Sequence, residues 1–214
     1  MDHSGSLPTG TVSSLVARAT GTSPLACYQC GRCAAGCPQN VAGEMDLSPT
    51  QILRLLQLEI AFATDPSQAA SLQRRALGAD TPWLCAGCQA CSSRCPQGVD
   101  VAGVMDVLRQ ESLRRGLYSG SPQARSAMAL HKTFMEGVLR RGRIHELTLV
   151  ALYKLRTMNL FEDALLGPAM FLKGKLHLLP PAGHDTTAVR RAVESLKRRR
   201  EEWHGPAAGE KGSG

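Results

Sequence analysis

Apolar residues recur at helical spacing through much of the chain. After Ser48-Pro49, which offers a side-chain cap and a proline at the first helical position, Ile52, Leu55, Leu56 and Ile60 share one face. A second helix is predicted from near Pro66 to Gly78, carrying Ala69, Leu72, Ala76 and Leu77. Asp100 can cap a third, with Val101, Val104, Met105 and Leu108 on one side and a stop at Gly116. Ser121-Pro122 opens a segment to about Arg141 with Gly142 as the stop, and another spans Arg143 to Met158. Phe161 to Lys173 is apolar but broken by Gly167-Pro168, which predicts a helix pair or a kink. Pro180-Pro181 reads as a linker, followed by a basic helix from about Thr186 to Trp203 and a disordered end from Gly205 to Gly214. The fold class expected is all-α.

Composition agrees. Aromatic residues make up 4% of the chain, so the core must come from Leu, Val, Ala and Met, a mix that favours helices over a β-sandwich. The start, Met1-Asp2-His3-Ser4-Gly5-Ser6, lacks the basic and apolar regions of a secretory signal, and the longest apolar stretch, Leu147 to Tyr153, is too short to span a bilayer. A cytoplasmic protein with no transmembrane segment is expected, in a compartment where thiols stay reduced. Eight cysteines there read as metal ligands rather than disulfides. The net charge of +7 gathers late, in Arg190, Arg191 and Lys197-Arg198-Arg199-Arg200. A run of this kind is a solvated helix end or a docking surface; no aromatic-basic pattern of a nucleic-acid module accompanies it.

The cysteines carry the chemistry. Cys27-Tyr28-Gln29-Cys30-Gly31-Arg32-Cys33-Ala34-Ala35-Gly36-Cys37-Pro38-Gln39 recurs as Cys85-Ala86-Gly87-Cys88-Gln89-Ala90-Cys91-Ser92-Ser93-Arg94-Cys95-Pro96-Gln97. The two copies share one spacing, C-x2-C-x2-C-x3-C-P-Q, and consume every cysteine in the chain. A cubane cluster needs four thiolates around its faces. Three cysteines spaced by two residues wrap one side, while the fourth, followed by proline, has turned away and in two-cluster ferredoxins ligates the other cluster. Two [4Fe–4S] clusters are therefore expected, the first on Cys27, Cys30, Cys33 and Cys95, the second on Cys85, Cys88, Cys91 and Cys37. Structural zinc is the rival, but zinc sites pair two C-x2-C units and have no use for repeated triplets followed by C-P.

Neighbouring residues refine this. Pro38 and Pro96 disfavour helix at the cysteine before them and redirect the chain after ligation. Gly31, Gly36 and Gly87 let backbone amides approach cluster sulfurs, or serve as simple turn residues. Arg32 and Arg94 either raise a cluster's potential by their charge or are exposed loop charges. None of His3, His131, His145, His177, His184 and His204 shows the spacing of a metal pair, and no nucleophile constellation or phosphate loop appears.

Two cysteine loops separated and followed by helices describe an α-helical ferredoxin with a C-terminal helical extension. The expected divisions are 1–20, an N-terminal segment; 21–118, the ferredoxin domain; 119–180, a helical extension for packing or docking; and 181–214, a basic helix and tail.

The chain resembles the C subunit of heterodisulfide reductase and its bacterial relatives. The resemblance rests on Ala26-Cys27-Tyr28-Gln29-Cys30-Gly31-Arg32-Cys33 through Cys37-Pro38 and on Trp83-Leu84-Cys85 through Cys95-Pro96. It continues less specifically through His131-Lys132-Thr133-Phe134 and Gly142-Arg143-Ile144-His145-Glu146, and does not include the basic tail. It implies a protein that relays electrons through two [4Fe–4S] clusters from a flavin- and cluster-bearing A subunit to a catalytic B subunit with cysteine-rich CCG domains. This chain has no adjacent Cys-Cys pair, so the resemblance implies no catalytic residue in it. Two other readings stay open: the cluster-bearing component of a quinone-linked glycolate- or glycerol-phosphate-type dehydrogenase, and a metal-stabilised basic module that binds nucleic acid.

Overall fold

The computed structural model describes residues 7, 8, 10–118, 120–157, 173 and 186–204, the last five of these by their backbone alone. The described residues are helical and contain no strand. They divide into two compact units, residues 1–125 and 126–214.

In the first unit, α1 (Val12–Thr20) precedes a 3-10 turn at Pro24–Ala26 and the short helices α2 (Arg32–Ala35) and α3 (Pro38–Val41). Then come α4 (Pro49–Ala61) and α5 (Pro66–Leu77). The short α6 (Thr81–Leu84) and α7 (Ala90–Ser93) lead to α8 (Val101–Arg115). The expected caps are in place. Ser48 and Gln51 form a reciprocal capping box at α4, the Asp100 carboxylate accepts the Gly103 amide at 3.0 Å, and Gly116 closes α8 in the left-handed region at φ 64°. Each cap contributes about 1 kcal/mol.

The internal repeat extends well beyond the cysteines. Helix α4 matches α8 position by position: Ile52, Leu53, Leu56 and Glu59 correspond to Val104, Met105, Leu108 and Glu111, and all eight are buried. Packing is reciprocal. Helix α5 lies on α4 as α1 lies on α8, the turn at 24–26 contacts α4 as α6 contacts α8, and α2 meets α7 directly. Exchange of the two halves about a two-fold axis through the α2–α7 contact would produce this pattern. The predicted stripe of α4 shifts slightly, since Leu53 is buried while Leu55 and Ile60 are only partly so.

Helix α1 was not predicted, although Thr11, Val12, Leu15, Val16 and Gly21 carried a cap, a stripe and a stop. Its first amides are held from a distance. The buried Glu59 carboxylate accepts the Val12 amide at 2.8 Å, the Ser13 amide at 2.9 Å and the Ser13 hydroxyl. It also accepts Gln73 Nε2 at 2.6 Å, and Gln73 in turn accepts Arg115 Nη1 at 2.9 Å. Arg115 and Arg114 both bond Glu111, which is 1% exposed. Burial pushes the Glu111 carboxyl up, but these two guanidiniums outweigh it and hold it below the usual range. A polar chain thus crosses α1, α4, α5 and α8. Among the described residues, the buried Trp83 Nε1 is the side-chain atom left without a partner, and nothing in the fold accounts for it.

Helix α9 (Pro122–Arg141) begins in the first unit and runs into the second, which also holds α10 (Glu146–Thr157) and α11 (Thr186–His204). Helix α10 starts three residues later than predicted because His145 Nδ1 accepts the Thr148 amide at 3.3 Å, in the manner of a cap. Arg156 ties α10 to α9, donating to Glu136 and to the buried Thr133, both at 2.6 Å. Gly142 ends α9 at φ 70°. The interrupted segment predicted around Gly167-Pro168, the linker at Pro180-Pro181 and the end from Gly205 lie outside the described residues.

Candidate metal centre

All eight cysteines are free thiols, and equivalent ones are exposed to like degrees. Cys33 and Cys91 are buried, Cys30 and Cys88 exposed, and Cys27, Cys37, Cys85 and Cys95 intermediate. Each motif therefore runs from a half-buried sulfur through an exposed one to a buried one.

The backbone turns that achieve this are the same in both copies. Gln29 and Gly87, at the third position, have φ of 64°; Gly31 and Gln89, at the fifth, have φ of 79° and 62°. A left-handed residue on each side of the second cysteine curls the loop around one point. Glycine adopts that conformation freely, whereas glutamine does so at a cost of about 1 kcal/mol. Two glutamines accept that strain, so the loop shape is imposed by its surroundings. Gly31 and Gly87 thus serve as turn residues, one of the two roles expected of them. Gly36 does not: it has φ of −96°, and its lack of a side chain makes room for the guanidinium of Arg94, its own counterpart in the second motif. Cys37 is extended at φ −85° and ψ 118°, and Pro38 opens α3, so the chain does turn after the fourth cysteine.

The approach to each motif is clamped alike. Gln57 Nε2 donates to the carbonyls of Pro24 at 3.1 Å and Cys27 at 2.5 Å. Its counterpart Arg109 donates to the equivalent carbonyls, Pro82 at 2.7 Å and Cys85 at 3.0 Å. A different side chain thus reaches the same two acceptors.

The thiols gather across the repeat. Cys37 lines a cavity with Cys85, Cys88 and Cys91, closed by Met45, Pro49, Ala102 and Met105. Burial pushes the Cys85 thiol up and the nearby Cys37 sulfur adds to this, while the Gly87 amide and Arg109 oppose it. Cys91 is raised by burial and by Cys85. Burial also raises Cys27, with Cys33, Cys95 and Cys30 acting in the same sense against the Gln29 amide. Four soft sulfurs without a carboxylate among them suit iron–sulfur chemistry. Among the described residues no three His, Cys, Asp or Glu side chains converge on a point that a single ion would fill. The donor set and the cavity shared by Cys37 and the second motif fit a multinuclear cluster. Arg32 and Arg94 line one open concavity beside Cys95.

Gln57, Arg109 and Thr50, whose hydroxyl lies 3.4 Å from Cys33 Sγ, were missed as site residues. Their signal was the correspondence of α4 with α8, which appears only when the repeat is extended past the cysteines with a shift in spacing.

Residues 26–99 match the 4Fe-4S dicluster domain family. Over 109 residues, half of this chain and 48% of its own length, the iron-sulfur C subunit of the CoB--CoM heterodisulfide reductase of Methanopyrus kandleri is 31% identical. The C subunit of the Ferredoxin:CoB-CoM heterodisulfide reductase of Methanosarcina mazei is 29% identical over 47% of this chain and 53% of its own. A probable membrane-anchored ferredoxin of Chromohalobacter salexigens is 28% identical over 44% of this chain but only 17% of its own length. The chain spans about half the length of the heterodisulfide reductase proteins it matches. No helix among the described residues is long and apolar enough to cross a membrane. Residues 26–99 thus match a 4Fe–4S dicluster domain, and the chain that carries them is similar to the C subunits of heterodisulfide reductases.

Proposed function

We propose that this chain is an electron relay, a cytoplasmic protein that passes single electrons between a flavin- and cluster-bearing A subunit and a CCG-domain B subunit of a heterodisulfide-reductase-like complex. Two [4Fe–4S] clusters supply the one-electron chemistry when bound. Cys27, Cys30, Cys33 and Cys95 hold the first; Cys85, Cys88, Cys91 and Cys37 hold the second. The observation that carries this reading is the cavity in which Cys37 joins the three leading cysteines of the other motif.

The protein's own residues position, insulate and connect. The left-handed pairs Gln29/Gly31 and Gly87/Gln89 curl the two loops, and Gln57 and Arg109 hold the incoming chain by its carbonyls. Ile52, Leu53, Met105 and Leu108 keep water from the buried face. The exposed Cys30 and Cys88 bring one edge of each centre to the surface, where a partner can approach. Apolar side chains left exposed on α9 and α10, among them Phe134, Met135, Val150 and Leu155, favour a permanent partner over a free monomer.

Purified without oxygen, the chain should hold twice the iron and acid-labile sulfide of a single [4Fe–4S] cluster and should copurify with a CCG-domain protein. A colourless protein with zinc, or a stable monomer that reduces disulfides unaided, would overturn the reading.

A further inference from the structure

The two halves surround their sulfurs differently, and the differences fall at equivalent positions. Three donors face the set Cys27, Cys30, Cys33 and Cys95. Gln29 Nε2 lies 3.7 Å from Cys27 Sγ, Thr50 Oγ1 3.4 Å from Cys33 Sγ and the Val99 amide nitrogen 3.3 Å from Cys95 Sγ. A thiolate ligand carries no proton, so Thr50 is the donor. In the other half Gly87 stands where Gln29 does, and Ala102 where Thr50 does, so neither donor has a counterpart. Cys37 Sγ faces Met45 Sδ at 4.0 Å, and the cavity walls are mostly apolar, Pro38, Met45, Pro49, Ala86, Ala102 and Met105, with Gln39 and Gln89 the polar residues among them.

Nearby polar groups do not cancel the contrast. The Gly87 amide reaches Cys85 as the Gln29 amide reaches Cys27, so that pair is matched. The amides of Cys91 and Ser92 act on the Cys91 sulfur, while the Ser92 hydroxyl donates its one proton to Asp100 Oδ1 at 2.8 Å. The side-chain donors Gln29 and Thr50 still have no equivalent. Near Cys85, Asp106 and Arg109 act in opposite senses and are paired at 3.3 Å. Arg32 and Arg94 add their positive charge on the side of Cys95.

We propose that Gln29, Thr50 and the Val99 amide set the cluster held by Cys27, Cys30, Cys33 and Cys95 at a higher potential than its twin. This rests on the crossed two-cluster reading above. Reduction adds negative charge, which hydrogen bonds to the sulfurs stabilise and an apolar wall does not. The three groups act through the cysteine sulfurs as positioning residues. With both clusters bound, an electron shared between them would rest on the first, and the order of potentials would favour the Cys30 side over the Cys88 side.

Redox titration of the anaerobically purified full chain, followed by low-temperature EPR, tests this. Wild-type protein should give two midpoints. Thr50→Ala and Gln29→Gly, which install the residues of the other half, should each lower the upper midpoint by about tenfold in the one-electron equilibrium, about 59 mV, and leave the lower in place. Thr50→Ser keeps the hydroxyl and should restore the upper value. Coincident wild-type midpoints overturn the proposal, as does a Thr50→Ala variant in which the upper midpoint stays fixed. Iron and sulfide content, with the EPR of Cys37→Ser, tests the crossed ligation without reference to potential, so the two failures are distinguishable.

Discussion

The stretch from Pro24 to Ala61 and the stretch from Pro82 to Arg115 build the same frame from different side chains. Both clamp two carbonyls ahead of the first cysteine, the former with neutral Gln57 and the latter with cationic Arg109. Both bury a glutamate one turn beyond a core leucine. Glu59 satisfies the first amides of α1, whereas Glu111 takes Arg114 and Arg115 from its own helix. What is shared is backbone shape and burial. What differs is which donors are spent on holding the frame, and that difference lets two like centres have unlike properties.

The sharpest break comes at the cysteines. Cys91→Ser should remove about half of the iron and sulfide, since one cluster loses a ligand from its buried side while the other stays whole. Cys37→Ser should disturb the EPR signal of the same centre as Cys91→Ser; disturbing the centre of Cys33→Ser would show the repeats uncrossed. Next come the glutamates. Glu59→Ala strands two buried amides and should cost about 3 kcal/mol by denaturant unfolding. Glu111→Ala should cost about 1 kcal/mol, because Arg114 and Arg115 can swing to water. Equal losses would erase the contrast drawn between them.

Smaller still are the clamps. Gln57→Ala and Arg109→Ala should each cost about 1–2 kcal/mol, and Arg109→Gln should recover part of it if carbonyl bonding rather than charge matters. The mildest effect is in pH. The Glu111 carboxyl is held below its ordinary value of 4.5, so its stabilising share is complete above that value and is lost as pH falls through the lower folded value. Glu111→Gln should flatten acid unfolding in that window. A steeper acid limb in the variant would contradict the assignment.

The cysteine spacing was legible because a cluster draws its thiolate ligands from set intervals along the chain. The caps at Ser48 and Asp100 were legible because short polar side chains before an apolar stripe have few other uses. Glu59 and Glu111 were not, though they lie on the buried stripes, because a carboxylate at helical spacing signals nothing until the distant amides and guanidiniums that neutralise it are in place. Helix α1 carries a legible cap at Thr11 and stop at Gly21; what its sequence does not show is the hold of Glu59, 46 residues away, on its first amides. Gly36 shows neither the amide approach nor the turn that its place in the motif suggests on a first reading, because its small size answers to Arg94 in the other half.

That last contact sets the two halves apart. Gly36 and Arg94 occupy the same rung of the duplicated motif and meet where the halves touch, and a side chain at Gly36 would oblige the exposed Arg94 guanidinium to swing aside. The unlike pair lets the larger residue lie across the smaller, and it gives the two loops a left and a right.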